Sequence, residues 1–414
     1  MKRANSRAAP EYSVGLVEAH QHALFVFRTE GQERWQGATL SVSPDVLYDI
    51  TGMPLVFQFH VQKELMPIGV IRISADKRLG SPVLSVQYGP VHLPDFAALI
   101  AELTAPAQAA CPAHRVVQAY PVVYSYPKTG VQFLLAPEDE RENSPNTAYV
   151  IFDAETRLIV EELPEGAGDS ATIDGQAAYS LLGHAEARAA TRAWAGLKPQ
   201  QLRHRILERW QDRSQQIAAL LAAWSDIEGG SEEIPTGIEE HLLPARFGIP
   251  EGTFPAYGQI DTYHCAIASA QMIIQYLTGV RIDQRDLEKP FGKGPFGTSN
   301  TAQMQGYRTM LGGDAFAPSP LDETPSPDEV AGVIDAGLPM KSGVPQHARA
   351  CCGYRRLLFR APDGTTAFDA FELRIHDPWP PKEGKLLWES WNSIVHTNFI
   401  YMTRKGEIKQ LKGD

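Results

Sequence analysis

A chain of 414 residues that is 43% hydrophobic is long enough for two or three folded domains with their own cores. With 21% charged residues and no segment depleted of apolar ones, it is not a disordered protein. The net charge of -11 argues against a general nucleic-acid-binding protein, because such proteins need a basic surface to neutralise phosphates.

The N-terminal residues MKRANSRAAPEYSVG include basic residues but no apolar run behind them, so no secretory signal is expected. The longest apolar runs are too short for a membrane span. We therefore expect a cytoplasmic protein, and secretion as an effector by a non-classical route stays open. Four cysteines without the two-residue gap of a zinc knuckle predict free thiols, with no metal site and no cofactor.

Residues 1–170 predict a β-rich α+β domain of unknown role, through which the chain could bind a protein partner. Apolar and polar side chains alternate over residues 55–62, the period of a strand with one packed face. The segments YVIF and RLIVEEL flank Asp153–Thr156 as a hairpin, and residues 94–103 predict a short helix. Further predicted strands are 22–28, 37–43, 68–74, 82–88, 115–125 and 131–135.

Residues 171–228 predict a helical segment, in which Pro199 begins the second helix of a pair. An apolar stripe recurs at helical spacing and consists of Leu202, Ile206, Trp210, Ile217, Leu220, Leu221 and Trp224. Four arginines off that stripe form a solvated face rather than an anion- or partner-binding face: Arg203, Arg205, Arg209 and Arg213. Residues 229–240, acidic and glycine-rich, predict an exposed linker, which is a plausible processing site.

Residues 241–414 predict a final domain with a helix after Cys265, a Gly/Pro-rich middle and strands at 347–354, 355–360, 368–377 and 394–402. The stretch from Gly292 to Thr298 lacks the residue order of a phosphate-binding loop and predicts a loop flanking a substrate groove. Earlier in the chain, His20 and His22 would share a strand face, but without a third ligand they do not predict a metal site.

Cys265 precedes an apolar helical pattern of Ile267, Ala270, Ile273, Ile274 and Leu277. A thiol at a helix N-terminus faces unpaired amides and the positive end of the helix dipole, which lower its pKa. Taken alone, a cysteine in this context is more often an ordinary buried residue.

Two further segments provide partners for a nucleophilic thiol. His347, at the head of a predicted strand, could serve as general base and acid, although alone it would more often be structural. Asp377 ends another strand before Pro378 and could hold an imidazole in the right tautomer, while Trp379 shields the pair from water. The alternative is that Asp-Pro-Trp is a turn with a packed aromatic side chain.

Four features of the chain follow one another in sequence. They are Gln259 six residues before Cys265, the helix after Cys265, His347-Ala leading into Gly-Tyr, and Asp377 two residues before Trp379. In these four features the chain resembles the papain-like cysteine peptidases. The resemblance covers roughly residues 255–402. It implies a papain-like fold, in which a nucleophile helix packs on an antiparallel sheet. It also implies that Cys265 is the nucleophile, that His347 activates it and that Asp377 orients His347, with Gln259 and the Cys265 amide as oxyanion hole.

The chain departs from papain itself in three respects. Ala266 replaces the tryptophan after the nucleophile, Asp377 replaces an asparagine, and the nucleophile and histidine are closer in sequence. These features are similar to the compact bacterial branch, which includes double-glycine leader peptidases and secreted effector peptidases. Of the neighbouring histidines, His264 would point elsewhere on the helix but could line the cleft, and His376 alternates away from Asp377.

Three functions remain open. The first is a cysteine peptidase acting on a peptide or protein substrate. The second is an acyl transferase or deamidase that uses the same triad, because papain-like folds host several reactions. The third is an inactive peptidase-like binding or scaffold protein, against which the complete set of Cys265, His347, Asp377 and Gln259 counts.

Overall fold

The structure, a computed structural model, describes residues 10–89, 91, 93–137, 148–161, 180–183, 199–226, 234, 236–312, 315–323, 325–392 and 396–404. Over these residues the protein is a mixed α+β fold with one large sheet. No helix among them is long and apolar enough to cross a membrane.

The described helices are α1 Leu16–Arg34, α2 Phe96–Ala110, α3 Pro199–Ser225, α4 Cys265–Thr278, α5 Gln284–Glu288, α6 Asn300–Leu311 and α7 Pro327–Asp335. The strands of the N-terminal half are β1 Thr39–Leu40, β2 Asp45–Asp49, β3 Pro54–Lys63, β4 Met66–Ser74, β5 Val83–Tyr88, β6 His114–Ser125, β7 Lys128–Pro137 and β8 Ala148–Asp153. Those of the C-terminal half are β9 Thr236–Leu242, β10 Phe316–Pro318, β11 Met340–Val344, β12 His347–Arg360, β13 Thr366–Asp377, β14 Lys385–Ser390 and β15 Asn398–Arg404.

In the N-terminal half the strands lie in the order β5-β4-β3-β2-β6-β7-β8, with β1 on β3. All pairs are antiparallel except β2 with β6. Most strands predicted here form, and so does the predicted short helix, which begins as α2 with the Asp95 side chain accepting a hydrogen bond from the Ala98 amide. The hairpin also forms, because the Val160 amide donates a hydrogen bond to the Ile151 carbonyl.

The predicted strand 22–28 is wrong, because these residues lie inside helix α1. The apolar run Leu-Phe-Val-Phe suggests a strand, but the buried Ala19, Ala23 and Val26 follow helical spacing and pack against the sheet. His20 and His22 consequently do not share a strand face. Nε2 of His22 lies 3.1 Å from Oγ of Ser214 on α3.

In the C-terminal half the strands lie in the order β10-β15-β11-β12-β13-β14, and β9 pairs with β12. All of these pairs are antiparallel, and α4 packs across β11 and β12 in a shared hydrophobic core. The predicted strands 347–354 and 355–360 are one continuous strand, β12, with a register shift between Cys351 and Gly353. The last strand forms as β15, slightly later than predicted, while residues 393–395 lie outside the described part.

The two halves share one sheet, because β14 pairs with β5 through Trp388 opposite Val86 and Glu389 opposite Ser85. Helix α3 begins at Pro199 as predicted and buries Ile206, Trp210, Ile217, Leu220 and Leu221. Of the other helix of the predicted pair, the structure describes only residues 180–183, of which 181–183 are helical. Residues 236–240, within the predicted linker, belong to β9.

The four arginines of the predicted solvated face have different surroundings. Arg205 and Arg209 are exposed, as that prediction requires. Arg213 is half-buried, with its guanidinium 4.2 Å from the centre of the Phe368 ring. The side chain of Arg203 lies outside the described part.

Candidate active site

Cys265 is the first residue of helix α4, as the sequence predicts. The chain turns into the helix where the Asp261 carboxylate accepts a hydrogen bond of 2.8 Å from the Tyr263 amide. Eleven of the fourteen helix residues are buried, so the helix is held firmly against the sheet. Because the first amides of a helix lack intrahelical acceptors, the thiol of Cys265 lies at a centre of positive partial charge.

His347 begins β12, after the two-residue turn formed by Pro345 and Gln346. Gln346 adopts a left-handed backbone conformation with φ of 57°, which is uncommon for a residue other than glycine. Oγ of Ser269 on α4 donates a hydrogen bond of 3.1 Å to the Ala348 carbonyl. This bond joins the nucleophile helix to the strand that carries the histidine.

The thiol of Cys265 interacts with the imidazole of His347. Burial alone raises the pKa of Cys265, but the hydrogen bond and charge of His347, the charge of Lys128 and the Ala348 amide lower it to about 7. The contact is looser than an ideal hydrogen bond, since Nδ1 of His347 meets no partner of regular geometry among the described residues. The arrangement nevertheless favours a thiolate–imidazolium pair near neutral pH.

Asp377 ends β13 and holds the other side of the imidazole. Its Oδ1 lies 2.8 Å from Nε2 of His347 and also accepts a hydrogen bond of 2.8 Å from the Trp379 amide. Burial raises the pKa of Asp377, but the positive charge of His347, Lys385 and Arg349 outweighs it and lowers the pKa to about 2. Burial lowers the pKa of His347, and Asp377 and Cys265 together raise it above its usual value.

Gln259 is fully buried close to the turn after Asp377. Its amide donates to the Pro378 carbonyl, and its carbonyl accepts from the Lys382 amide, both at 2.9 Å. Its side-chain Nε2 donates one hydrogen to the Asp261 carbonyl. Gln259 is not among the residues that line the cavity next to Cys265.

The remaining predicted site residues lie around Cys265, His347 and Asp377. Trp379 is buried and fixed through its amide on Asp377. His264 does not line the cavity, because its buried ring is turned toward Asp261 and Glu288, at 2.6 and 2.9 Å. His376 faces away from the pair and packs against Phe254, as strand alternation predicts.

A cavity of about 400 Å³ lies next to Cys265 and His347. The Gly-rich loop at residues 292–299 forms one side of it, consistent with the predicted position of that loop. The N-terminal half also lines the cavity, with Tyr124, Ser125, Lys128 and Val160. Sequence reasoning missed these residues, because no local pattern reveals which part of a distant strand meets the nucleophile.

Comparison with protein-family models and with curated proteins finds no match to this chain. The chemistry of the site therefore has to be argued from its own geometry. Of the described cysteines, Cys351 and Cys352 are buried, and burial raises the pKa of both, that of Cys352 to about 12. Cys265 alone combines a lowered pKa with a place on the cavity wall.

Proposed function

We propose that this chain is a papain-like cysteine peptidase that cleaves peptide bonds in a peptide or protein substrate. The observation that carries the proposal is the chain of contacts from Cys265 to His347 to Asp377, in which Cys265 and His347 line one cavity. A nucleophile, a base within reach of it and a third group that orients the base form the arrangement that covalent acyl transfer needs. The papain-like assignment rests on these residues and on helix α4 packed across antiparallel strands.

In the first half of the reaction, Sγ of Cys265 attacks the carbonyl carbon of the scissile peptide bond. The carbon–nitrogen bond then breaks, and protonated His347 gives its proton to the leaving amine. The product is a thioester between Cys265 and the acyl part of the substrate. Asp377 keeps the ring in one orientation and stabilises its positive charge.

In the second half, His347 accepts a proton from water, which attacks the thioester and releases a carboxylic acid with return of Cys265 as thiolate. The amide of Cys265 and the second hydrogen on Nε2 of Gln259 are the donors that we assign to the oxyanion. Loss of one such donor typically costs about a hundredfold in rate. No metal or cofactor is required by these steps.

The nucleophile assignment is tested by labelling with iodoacetamide in a Cys111→Ser background, which removes the other partly exposed cysteine. We expect one site of modification at neutral pH, because Cys351 and Cys352 are buried. The label is expected to disappear in Cys265→Ala. Labelling unchanged by that substitution would overturn the assignment.

The reaction is tested by incubating the unmodified chain with a peptide library and measuring product masses. Peptide fragments that are absent with Cys265→Ala support a peptidase. Conversion of side-chain amides to acids without fragments would instead support a deamidase using the same residues. Efficient labelling of Cys265 with neither product in any library would favour a binding or scaffold protein.

A further inference from the structure

Lys128 is a cationic residue of the N-terminal half that lines the candidate active site. It is the first residue of β7 and is only 5% exposed, although lysine is rarely buried without a role in pairing. It lines the same cavity as Cys265 and His347. Its Nζ donates a hydrogen bond of 3.2 Å to the carbonyl of Thr262, in the turn that leads into the nucleophile helix.

A second contact fixes the direction of this side chain. Nζ of Lys128 lies 4.6 Å from the centre of the Trp379 ring, on the segment that follows Asp377. A cation over an indole face is attracted by the electron-rich ring. Lys128 is thus held between the segment that precedes Cys265 and the segment that follows Asp377, and its hydrogen bond to Thr262 uses one of three ammonium hydrogens.

Resting on the proposed function, we propose that Lys128 is a positioning residue that stabilises the thiolate of Cys265 by its charge, so that the N-terminal half completes the active site. A positive charge on a side chain that is only 5% exposed acts on a nearby anion more strongly than it would at the surface. Ser125, which ends the strand before Lys128, also contacts the C-terminal half. Its Oγ donates a hydrogen bond of 3.2 Å to the carbonyl of Pro345, in the turn that precedes His347.

The charged groups that act on the thiol come from two elements. His347 on β12 is the stronger, and Lys128 on β7 adds to it; both lower the pKa of Cys265 against the effect of burial. Asp377 acts on the thiol through His347, since its carboxylate bonds to the far side of the ring. The Asp377 carboxylate is in direct contact with His347 and not with Lys128. The positive charge of Lys128 is therefore not neutralised by Asp377.

Two substitutions separate a charge effect from a structural one. Lys128→Gln keeps an N–H donor, on a side chain one bond shorter, but removes the charge, whereas Lys128→Arg keeps the charge. The full chain in the Cys111→Ser background is labelled with iodoacetamide from pH 5 to 9, and the midpoint of the rate profile gives the pKa of Cys265. Lys63→Met is the matched control, because it removes an exposed lysine outside the cavity.

We expect the midpoint of Lys128→Gln to rise by about one unit, the lower end of the range for an opposite charge nearby. At pH 7 that rise slows labelling about fivefold. Lys128→Arg and Lys63→Met are expected to keep the parent midpoint, near pH 7. Thermal unfolding of each variant checks that it is folded.

An unchanged midpoint in folded Lys128→Gln would overturn the role of Lys128 while leaving the nucleophile assignment intact. If Lys128→Gln does not fold, the Lys128→Arg midpoint decides instead, and a rise of one unit there counts against a charge effect. A parent protein that is not labelled at Cys265 would overturn the proposed function and this inference with it.

Discussion

Nε2 of His347 lies 2.8 Å from Oδ1 of Asp377, and neither side chain is exposed to solvent. The carboxylate has a pKa of about 2, so it is charged at every pH at which the Cys265 thiolate is populated. Because Asp377 accepts from Nε2, the ring presents Nδ1 on its other side. Asp377 therefore stabilises the positive charge of His347, the proposed base, and fixes the orientation of its ring.

Replacing Asp377 separates these two effects. Asp377→Asn keeps a hydrogen-bond partner for the ring but removes the negative charge that raises the pKa of His347. The imidazolium is then lost at a lower pH, so we expect the alkaline limb of the kcat/KM profile to move to lower pH. Peptide hydrolysis measured from pH 5 to 10 gives both limbs of the profile.

Asp377→Ala removes the partner as well as the charge, and it is the matched comparison. We expect a larger fall in kcat than in Asp377→Asn, because the ring also loses its orientation. Equal kcat values for the two variants would show that orientation by residue 377 contributes nothing. An alkaline limb that stays at the parent position in Asp377→Asn would contradict the electrostatic role.

The same carboxylate makes the folded state sensitive to acid. The pKa of Asp377 is lower in the folded chain, about 2, than the usual 3.8, so its contribution to stability is complete above pH 4 and is lost as pH falls toward 2. We expect the free energy of unfolding in urea to fall on the order of 2 kcal/mol more in the parent than in Asp377→Asn across that interval. If the free energy of unfolding falls equally in both proteins, protonation of Asp377 does not cause the loss of stability.

The features of the site that depend on neighbouring residues could be predicted from the sequence. The helical spacing of Ile267, Ala270, Ile273, Ile274 and Leu277 predicts a helix that begins at Cys265, and the structure confirms it. Strand alternation likewise separates His376 from Asp377. These features depend on the few residues on either side, so a period in the sequence is enough to reveal them.

The rest depends on contacts between distant segments. Lys128 and the Thr262 carbonyl that it contacts are 134 residues apart, and the pairing of β5 with β14 that brings the halves together leaves no sequence pattern. Leu24–Phe27 is a β-favouring run and predicts a strand over residues 22–28, but these residues lie in helix α1, where Phe25 and Val26 extend the buried face that begins with Ala19 and Ala23. Tertiary packing outweighs propensity there.

Arg355 on β12 joins the two halves through a buried ion cluster. Its guanidinium contacts Glu30 of α1 at 2.5 Å and Glu372 of β13 at 2.6 Å. Arg355→Met leaves two buried carboxylates facing each other, and we expect it to lower the free energy of unfolding by about 3–5 kcal/mol. Denaturant unfolding measures the change.

Two controls accompany that substitution. Arg356→Met removes the neighbouring exposed arginine and is expected to change stability by less than about 0.5 kcal/mol. The triple variant Glu30→Gln, Glu372→Gln and Arg355→Met removes all three charges and should recover part of the loss, because no unpaired charge remains. A triple variant less stable than Arg355→Met would show that burial of charge is not the cause.

Gly258 precedes Gln259 and packs directly against the turn after Trp379. A Cβ at this position would lie 2.2 Å from the Glu383 amide nitrogen and 2.3 Å from the Lys382 carbonyl carbon, distances that side chains do not tolerate. Gly258→Ala must therefore push this segment and the turn at residues 382–383 apart, which strains the backbone hydrogen bonds of Gln259 to Pro378 and Lys382. Since a misplacement of about 1 Å can cost about a hundredfold, we expect kcat to fall by about 10- to 100-fold.

Labelling of Cys265 should change much less in Gly258→Ala, because the thiol–imidazole pair does not include Gln259. Gly332→Ala is the matched control: its Cβ meets nothing within 4 Å on helix α7, so it should keep full activity and gain up to about 1 kcal/mol of stability. Peptide hydrolysis and denaturant unfolding of both variants provide the comparison. If Gly258→Ala retains the parent kcat, Gln259 is not a donor to the oxyanion, and the amide of Cys265 has to serve that role without it.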